Sequence, residues 1–248
     1  MVCAHKPAFE DVLLTKSAES LEGLDRKLTL NYYSRMRFIS NLLPLLQSAT
    51  TNSPSSFSRA VSLLAAGTER KINVNDLELK NTFTTARCAD HSVVMNDFMV
   101  EEFAKQQPGT TFMHGFPFVV DTGIARELPW WGRVGARAVT TILSPWMVSQ
   151  EETAQRQLFH ATSGLYPPAQ TKSASQTAAG ISSGDMLAVI EGADEQIGSG
   201  AYLTNWNGDA IKQKAFLKEY RAQGYGKIIW DHTMGIFDRV RKLNAQSS

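Results

Sequence analysis

Between residues 84 and 103, apolar side chains recur at three- and four-residue intervals (Val94, Met95, Phe98, Met99, Phe103), with Asn96, Asp97, Glu101 and Glu102 between them. This spacing predicts one amphipathic helix, with Thr84 or Thr85 capping its first turn and Pro108-Gly109 ending it. The same period puts Leu28, Tyr32, Met36, Ile39, Leu43 and Leu46 on one face of a helix from Leu24 to Leu46, which Pro44 should kink or end. Two short apolar runs bounded by loop residues, Arg59 to Ala65 and Thr110 to Phe116, read as buried parallel strands. A third strand is expected at Ala201 to Trp206, before the turn residues Asn207-Gly208. Helices alternating with strands predict an α/β fold of three layers, helix on sheet on helix, with right-handed crossovers.

The remaining stretches fill in this frame. Val2 to Ala4 reads as a strand stub stopped by Pro7, and Ser48 to Ser58 as a polar loop. Leu128 to Val148 is apolar and holds Trp130, Trp131 and Trp146, a composition that suits either a lid over a greasy pocket or a core helix. A helix is expected at Glu151 to Ala161, a flexible Ser/Ala/Thr/Gly-rich excursion at Ala169 to Gly184, and two closing helices at Ile211 to Gln223 and Ile228 to Leu243. There is no internal repeat.

Composition narrows the class. A chain of 248 residues, 43% hydrophobic and 20% charged, fits one domain with one sizeable core. The net charge of +1 and scattered basic residues leave no basic stripe for nucleic acid, and Arg239, Arg241 and Lys242 read as helix-end charges. Cys3 and Cys88 are too few for a disulfide framework, and no Cys/His spacing matches a zinc site, so no metal is expected. The first residues lack the apolar core of a signal peptide and no run is long enough for a membrane span, so a cytoplasmic protein is expected by elimination.

Several stretches, spread in order over essentially the whole chain, resemble the fungal short-chain dehydrogenase/reductases. Asn31-Tyr32-Tyr33-Ser34-Arg35-Met36-Arg37-Phe38 followed by Asn41 to Leu46 looks like that family's fourth helix. Phe116-Pro117-Phe118-Val119-Val120-Asp121-Thr122-Gly123 looks like its proline-glycine turn after the sixth strand. Gly198 to Gly208 is similar to its last strand, and Trp230-Asp231-His232-Thr233 to its fungal tail. The resemblance implies a Rossmann-like parallel sheet that is incomplete here, Met1 falling within the fourth strand and the first three strands being absent. It also implies a redox site whose residues are largely replaced. The family's tyrosine and lysine positions fall on Arg87 and His91, its serine on Ala65 or Ala66, and the glycine of its turn on Phe118. Asn31 and Thr122 match the family's helix-four asparagine and its carboxamide-contacting threonine. No tyrosine lies between Tyr33 and Tyr166, and no glycine-rich dinucleotide turn follows a strand. The expectation is that no NAD(P) is bound.

The residues that remain define candidate chemistry. His91 is an imidazole that titrates near neutrality, with Arg87 four residues before it and Asp90 adjacent; the plain alternative is a solvated histidine at a helix start. Asn31 and Arg35 share a helix face that either orients a carbonyl or forms a buried polar network. Tyr32 reads as core and Tyr33, off that face, as a candidate phenol. His114 reads as a core histidine, Asp121 as a turn cap, and His232 as a residue of the last helix. Phe118, Trp130, Trp131 and Trp146 are candidates to wall a hydrophobic substrate. Three readings follow. One is an enzyme of fungal secondary metabolism catalysing a cofactor-independent isomerisation, epimerisation or cyclisation of a polyketide or terpenoid, with His91 as proton shuttle. The second is a non-catalytic partner-binding protein, including a homodimer through the Val/Met/Phe stripe of the helix at 88–104. The third is a truncated or decayed NAD(P)-dependent reductase.

Overall fold

Three strands, β1 (Ser58–Leu63), β2 (Thr110–Gly115) and β3 (Ala201–Thr204), pair in parallel in that order. Ser58 to Leu63 lie opposite Thr110 to Gly115, and Phe112 to Gly115 opposite Ala201 to Thr204. The computed structural model describes residues 17–51, 57–118, 141, 147–169 and 189–246. Outside them fall Val2 to Ala4, most of the Leu128 to Val148 segment, nearly all of Ala169 to Gly184, and the candidates Thr122, Trp130, Trp131 and Trp146.

Side chains of a strand alternate between faces, and here the alternation separates two cores. Ala60, Phe112, Ala201 and Leu203 join the larger one, while Val61, Met113 and Tyr202 join a smaller one with Leu165, Tyr166 and Ile190. The larger core is built by the helical segments α1 (Arg26–Leu28), α2 (Ser34–Thr51), α3 (Thr85–Gln106), α5 (Ala215–Ala222) and α6 (Tyr225–Gln246). On the other face lies α4 (Gln150–Thr162) with the segment after it. Arg59 of β1 is anchored there, donating to the carbonyls of His160 (2.6 Å), Ser163 (3.0 Å) and Tyr166 (2.8 Å). The result is the expected α/β architecture, a parallel sheet between helices as in part of a Rossmann-like fold.

Helix α3 departs from the amphipathic pattern. It is buried continuously from His91 to Glu101, with Phe103 and Ala104 beyond. Phe103 stacks on Phe112 of the sheet (5.3 Å between ring centroids) and meets Trp230 of α6 edge-on (5.2 Å). Because the sheet covers one side and α6 another, even its polar positions are enclosed. Each of Val94, Met95, Phe98, Met99 and Phe103 contributes roughly 1.5–3 kcal/mol by burial. The stripe expected to offer a homodimer surface is therefore spent on the chain's own core.

Two further expectations change. Pro44 does not end its helix: α2 runs to Thr51, with Pro44 on its exposed side, where solvent can satisfy the carbonyl that a proline leaves free. Residues Ile211 to Lys214 are not helical: Ile211 N–H donates to the Leu203 carbonyl (2.9 Å) and Ala210 bridges to Thr204. Helix α5 starts only at Ala215.

Candidate functional site

Parallel strands all end on the same side of a sheet, and that carboxyl edge is where α/β folds place ligands. The connection from β1 to α3 crosses this edge, so the first turns of α3 open onto it. Thr84 caps the helix, its hydroxyl accepting the Arg87 N–H at 3.1 Å. The connection is held by Asp76, whose carboxylate accepts from the backbone N–H groups of Lys80 (2.8 Å), Asn81 (3.1 Å) and Thr82 (2.9 Å) and from the Thr82 hydroxyl (2.9 Å). Burial would raise the Asp76 pKa, but these hydrogen bonds outweigh it and hold the carboxyl below its ordinary range.

Together loop and helix enclose a cavity of about 260 Å³. Arg87, Asp90 and His91 line it with Lys71, Asn73 and Thr82, so the structure brings this candidate trio together. Arg87 is exposed, with one guanidinium nitrogen 3.0 Å from the Thr82 carbonyl, and Asp90 is half-buried. His91 is not the solvated histidine of the plain alternative: it is 1% exposed. Its Nε2 accepts the Asn73 N–H at 3.3 Å, so the neutral ring carries its proton on Nδ1, which has no hydrogen bond of proper geometry. Burial lowers the His91 pKa to about 4; the Asp76 carboxylate and the Leu77 backbone oppose the shift and Arg87 adds to it.

The other candidates lie apart. A single π-helical turn, Thr29–Tyr33, joins α1 to α2, with Ser34 N–H reaching back five residues to the Thr29 carbonyl. The extra residue rotates the helix, so Tyr32 and Tyr33 are both buried. Tyr32 bonds Thr233 (2.5 Å), and Tyr33, which lines a different cavity from His91, bonds His232 Nε2 (2.8 Å). Burial raises both phenol pKa values well above the ordinary range. Asn31 meets the network through its backbone carbonyl, which accepts from Asn96 Nδ2 at 3.3 Å. Arg35 donates to the Leu63 carbonyl (2.5 Å) and lies 3.5 Å from the Ser62 hydroxyl. Phe118 holds φ = +64°, the left-handed conformation that suits glycine, and its ring meets Trp206 (5.3 Å) and Phe116 (6.0 Å).

Polar pairs inside α3 were not foreseen. Asp97 Oδ1 lies 2.6 Å from His114 Nδ1, both fully buried, and Ala65 N–H points at His114 Nε2 from 3.4 Å. Burial raises the Asp97 pKa and lowers that of His114 to about 3. Asn96 Oδ1 accepts from Ser62, and Glu101 takes a forked ion pair from Arg221 (2.6–3.1 Å). The only trace of these in the sequence was four polar residues on a helix flanked by a partly buried and a fully buried strand that carry Ser62 and His114. Cys88 is buried, its thiol pushed up to about 12 by burial and by Asp25, which makes it a poor nucleophile. Among the described residues no group of side chains could hold a metal ion, and no helix is long and apolar enough to cross a membrane.

The family's redox chemistry needs a phenol beside an ammonium. The positions to which the resemblance assigns them hold an exposed guanidinium and a buried neutral imidazole; the Tyr32 and Tyr33 phenols are engaged with Thr233 and His232, and that of Tyr220 with the backbone of Ile72. These residues do not fit the proton relay that a nicotinamide requires.

No family model matches the chain. It is 36% identical over 226 residues to an oxidoreductase of Emericella nidulans, an alignment covering 90% of this chain and 64% of that protein. It is 30% identical over 243 residues to the oxidoreductase andH of Emericella variicolor, covering 95% of this chain and 69% of that one. A short-chain dehydrogenase/reductase of Stachybotrys chartarum is 28% identical over 231 residues, with 90% and 61% covered. The chain thus spans about two thirds of the length of these relatives.

Proposed function

Because the chain belongs to the fungal short-chain dehydrogenase/reductase-like oxidoreductases, we propose that it is an enzyme derived from that scaffold which moves a proton instead of a hydride. The reaction is a cofactor-independent isomerisation, epimerisation or cyclisation of a hydrophobic polyketide or terpenoid intermediate. One observation carries this reading: Arg87 and Asp90 line the same cavity, beside a buried His91.

A cation and a carboxylate are what enolisation needs. The Arg87 guanidinium polarises a substrate carbonyl, Asp90 takes the proton from the adjacent carbon, and the enolate oxygen stays paired with Arg87. Return of that proton to another carbon, or to the opposite face, gives an isomer or epimer; attack of the enolate carbon on an internal carbonyl or enone closes a ring, its π electrons passing to oxygen, which takes back the proton held by Asp90. The role expected for His91 passes to Asp90, because His91 Nε2 already accepts the Asn73 N–H and its ring is buried. His91 is a positioning residue that fixes the loop over the cavity.

The relatives' names favour a second reading, in which the whole protein is an NAD(P)-dependent oxidoreductase. Deleting the gene in its host and identifying the metabolite that accumulates separates the two. An accumulated compound isomeric with the next intermediate, converted by purified protein without nicotinamide and not by Asp90→Asn, supports proton transfer. A difference of two hydrogens together with saturable NADPH binding overturns it.

A further inference from the structure

The amino end of α2 and the carboxyl-terminal half of α6 line a second, half-open cavity of about 330 Å³, within the range of small-molecule sites and sharing no residue with the first. Its apolar part is formed by Leu24, Ile236, Phe237 and Val240, with polar residues around it. Tyr33 also lines it, 3% exposed, with its hydroxyl held 2.8 Å from His232 Nε2. The Arg37 guanidinium lies over the Phe237 ring at 5.2 Å and makes no ion pair among the described residues. By contrast Arg241, also on the lining, is neutralised by Asp238, and Arg239 nearby is neutralised by Glu78.

We infer that this cavity is a binding site for an amphipathic monocarboxylate, with its hydrocarbon part between α2 and α6 and its carboxylate on Arg37. A planar guanidinium braced on an aromatic face presents a fork that matches a carboxylate. Glu22, on the same lining, repels a doubly charged head group such as a phosphate more strongly than a single carboxylate. The site is independent of the proton-transfer chemistry proposed above, and its occupant is a ligand in its own right.

Isothermal titration of the full chain with decanoate tests this. Saturable binding of one decanoate per chain is expected, weakened at least about tenfold by Arg37→Gln, a loss of about 1.4 kcal/mol or more, as for a charge-assisted hydrogen bond. Decanol, which lacks the charge, should bind at least about tenfold more weakly than decanoate. Val240→Trp should abolish binding by filling the cavity, and unchanged thermal unfolding of Arg37→Gln controls for folding. No saturable binding, equal affinity for decanol, or affinity unchanged in Arg37→Gln each overturns the inference.

Discussion

Acidification should loosen the start of α3 from the loop above it, and part of that loss is traceable to His91. Burial holds the folded imidazole at about 4 against its ordinary 6.5. Between these values the unfolded chain binds a proton that the folded one does not. Stability from this residue is therefore fully present above about 6.5 and is lost progressively as pH falls toward about 4. At about 1.4 kcal/mol for each tenfold change in proton affinity, the window is worth about 3 kcal/mol. His91→Gln isolates it, since the amide oxygen can still accept the Asn73 N–H but does not titrate. Urea unfolding of both proteins, followed at pH values from about 7 down to about 4, gives the comparison. The advantage of the original protein over the variant should be largest near neutrality and shrink by about 3 kcal/mol across the window. His114 and His160, lowered by burial to about 3 and about 4, titrate in both proteins and cancel in the difference. A gap of the same size at every pH would refute the reasoning, leaving His91 a packing residue with no proton linkage.

Three other outcomes follow from buried polar groups and one strained residue. Arg221→Met should cost about 3–5 kcal/mol near neutral pH by stranding the buried Glu101, and Glu101→Gln added to it should restore part of that in chemical denaturation. Asp76→Ala removes four hydrogen bonds that organise residues 76–82 and should cost about 2–3 kcal/mol, with faster amide exchange at Lys80 to Thr82. Phe118→Ala should be about 1 kcal/mol less stable than Phe118→Gly by thermal unfolding, because alanine keeps the left-handed strain at φ = +64° and glycine does not.

Strand and helix positions were legible because period and punctuation set them: β2 and β3 fall within the apolar runs, β1 starts one residue before its run at Ser58, and Thr84 caps the helix it was expected to cap. Burial of α3 was less legible, since a hydrophobic pattern assigns Asn96, Asp97 and Glu101 to solvent while their partners Ser62, His114 and Arg221 come from distant segments. Tyr33 was misplaced for a local reason. A π turn shifts the side-chain register by one residue, and nothing in Thr29 to Tyr33 announces it. Arg87, Asp90 and His91 could be grouped from spacing alone, because one helical turn brings them together. That His91 faces the loop at Asn73 required the fold.

The turn at Phe118 shows how backbone and side-chain chemistry separate on this scaffold. A left-handed residue with a Cβ costs on the order of 1–2 kcal/mol, and it persists only where its surroundings compensate. Here the compensation is aromatic: the ring packs on Phe116 and Trp206, and the Arg156 guanidinium sits 4.2 Å over the outer face of Trp206. Aromatic pairs add about 0.5–1.5 kcal/mol each beyond their area, comparable to the strain. The turn therefore keeps the geometry of a glycine while projecting a ring at the carboxyl edge of β2. The start of α3 follows the same logic, its capped backbone presenting Arg87 and His91 where the resemblance places a phenol and an ammonium. Geometry of this kind is set by backbone hydrogen bonds and strand register, whereas the chemistry at these positions is set by the side chains they carry. The proposed reaction draws on what the cavity at that helix start does present, a cation and a carboxylate.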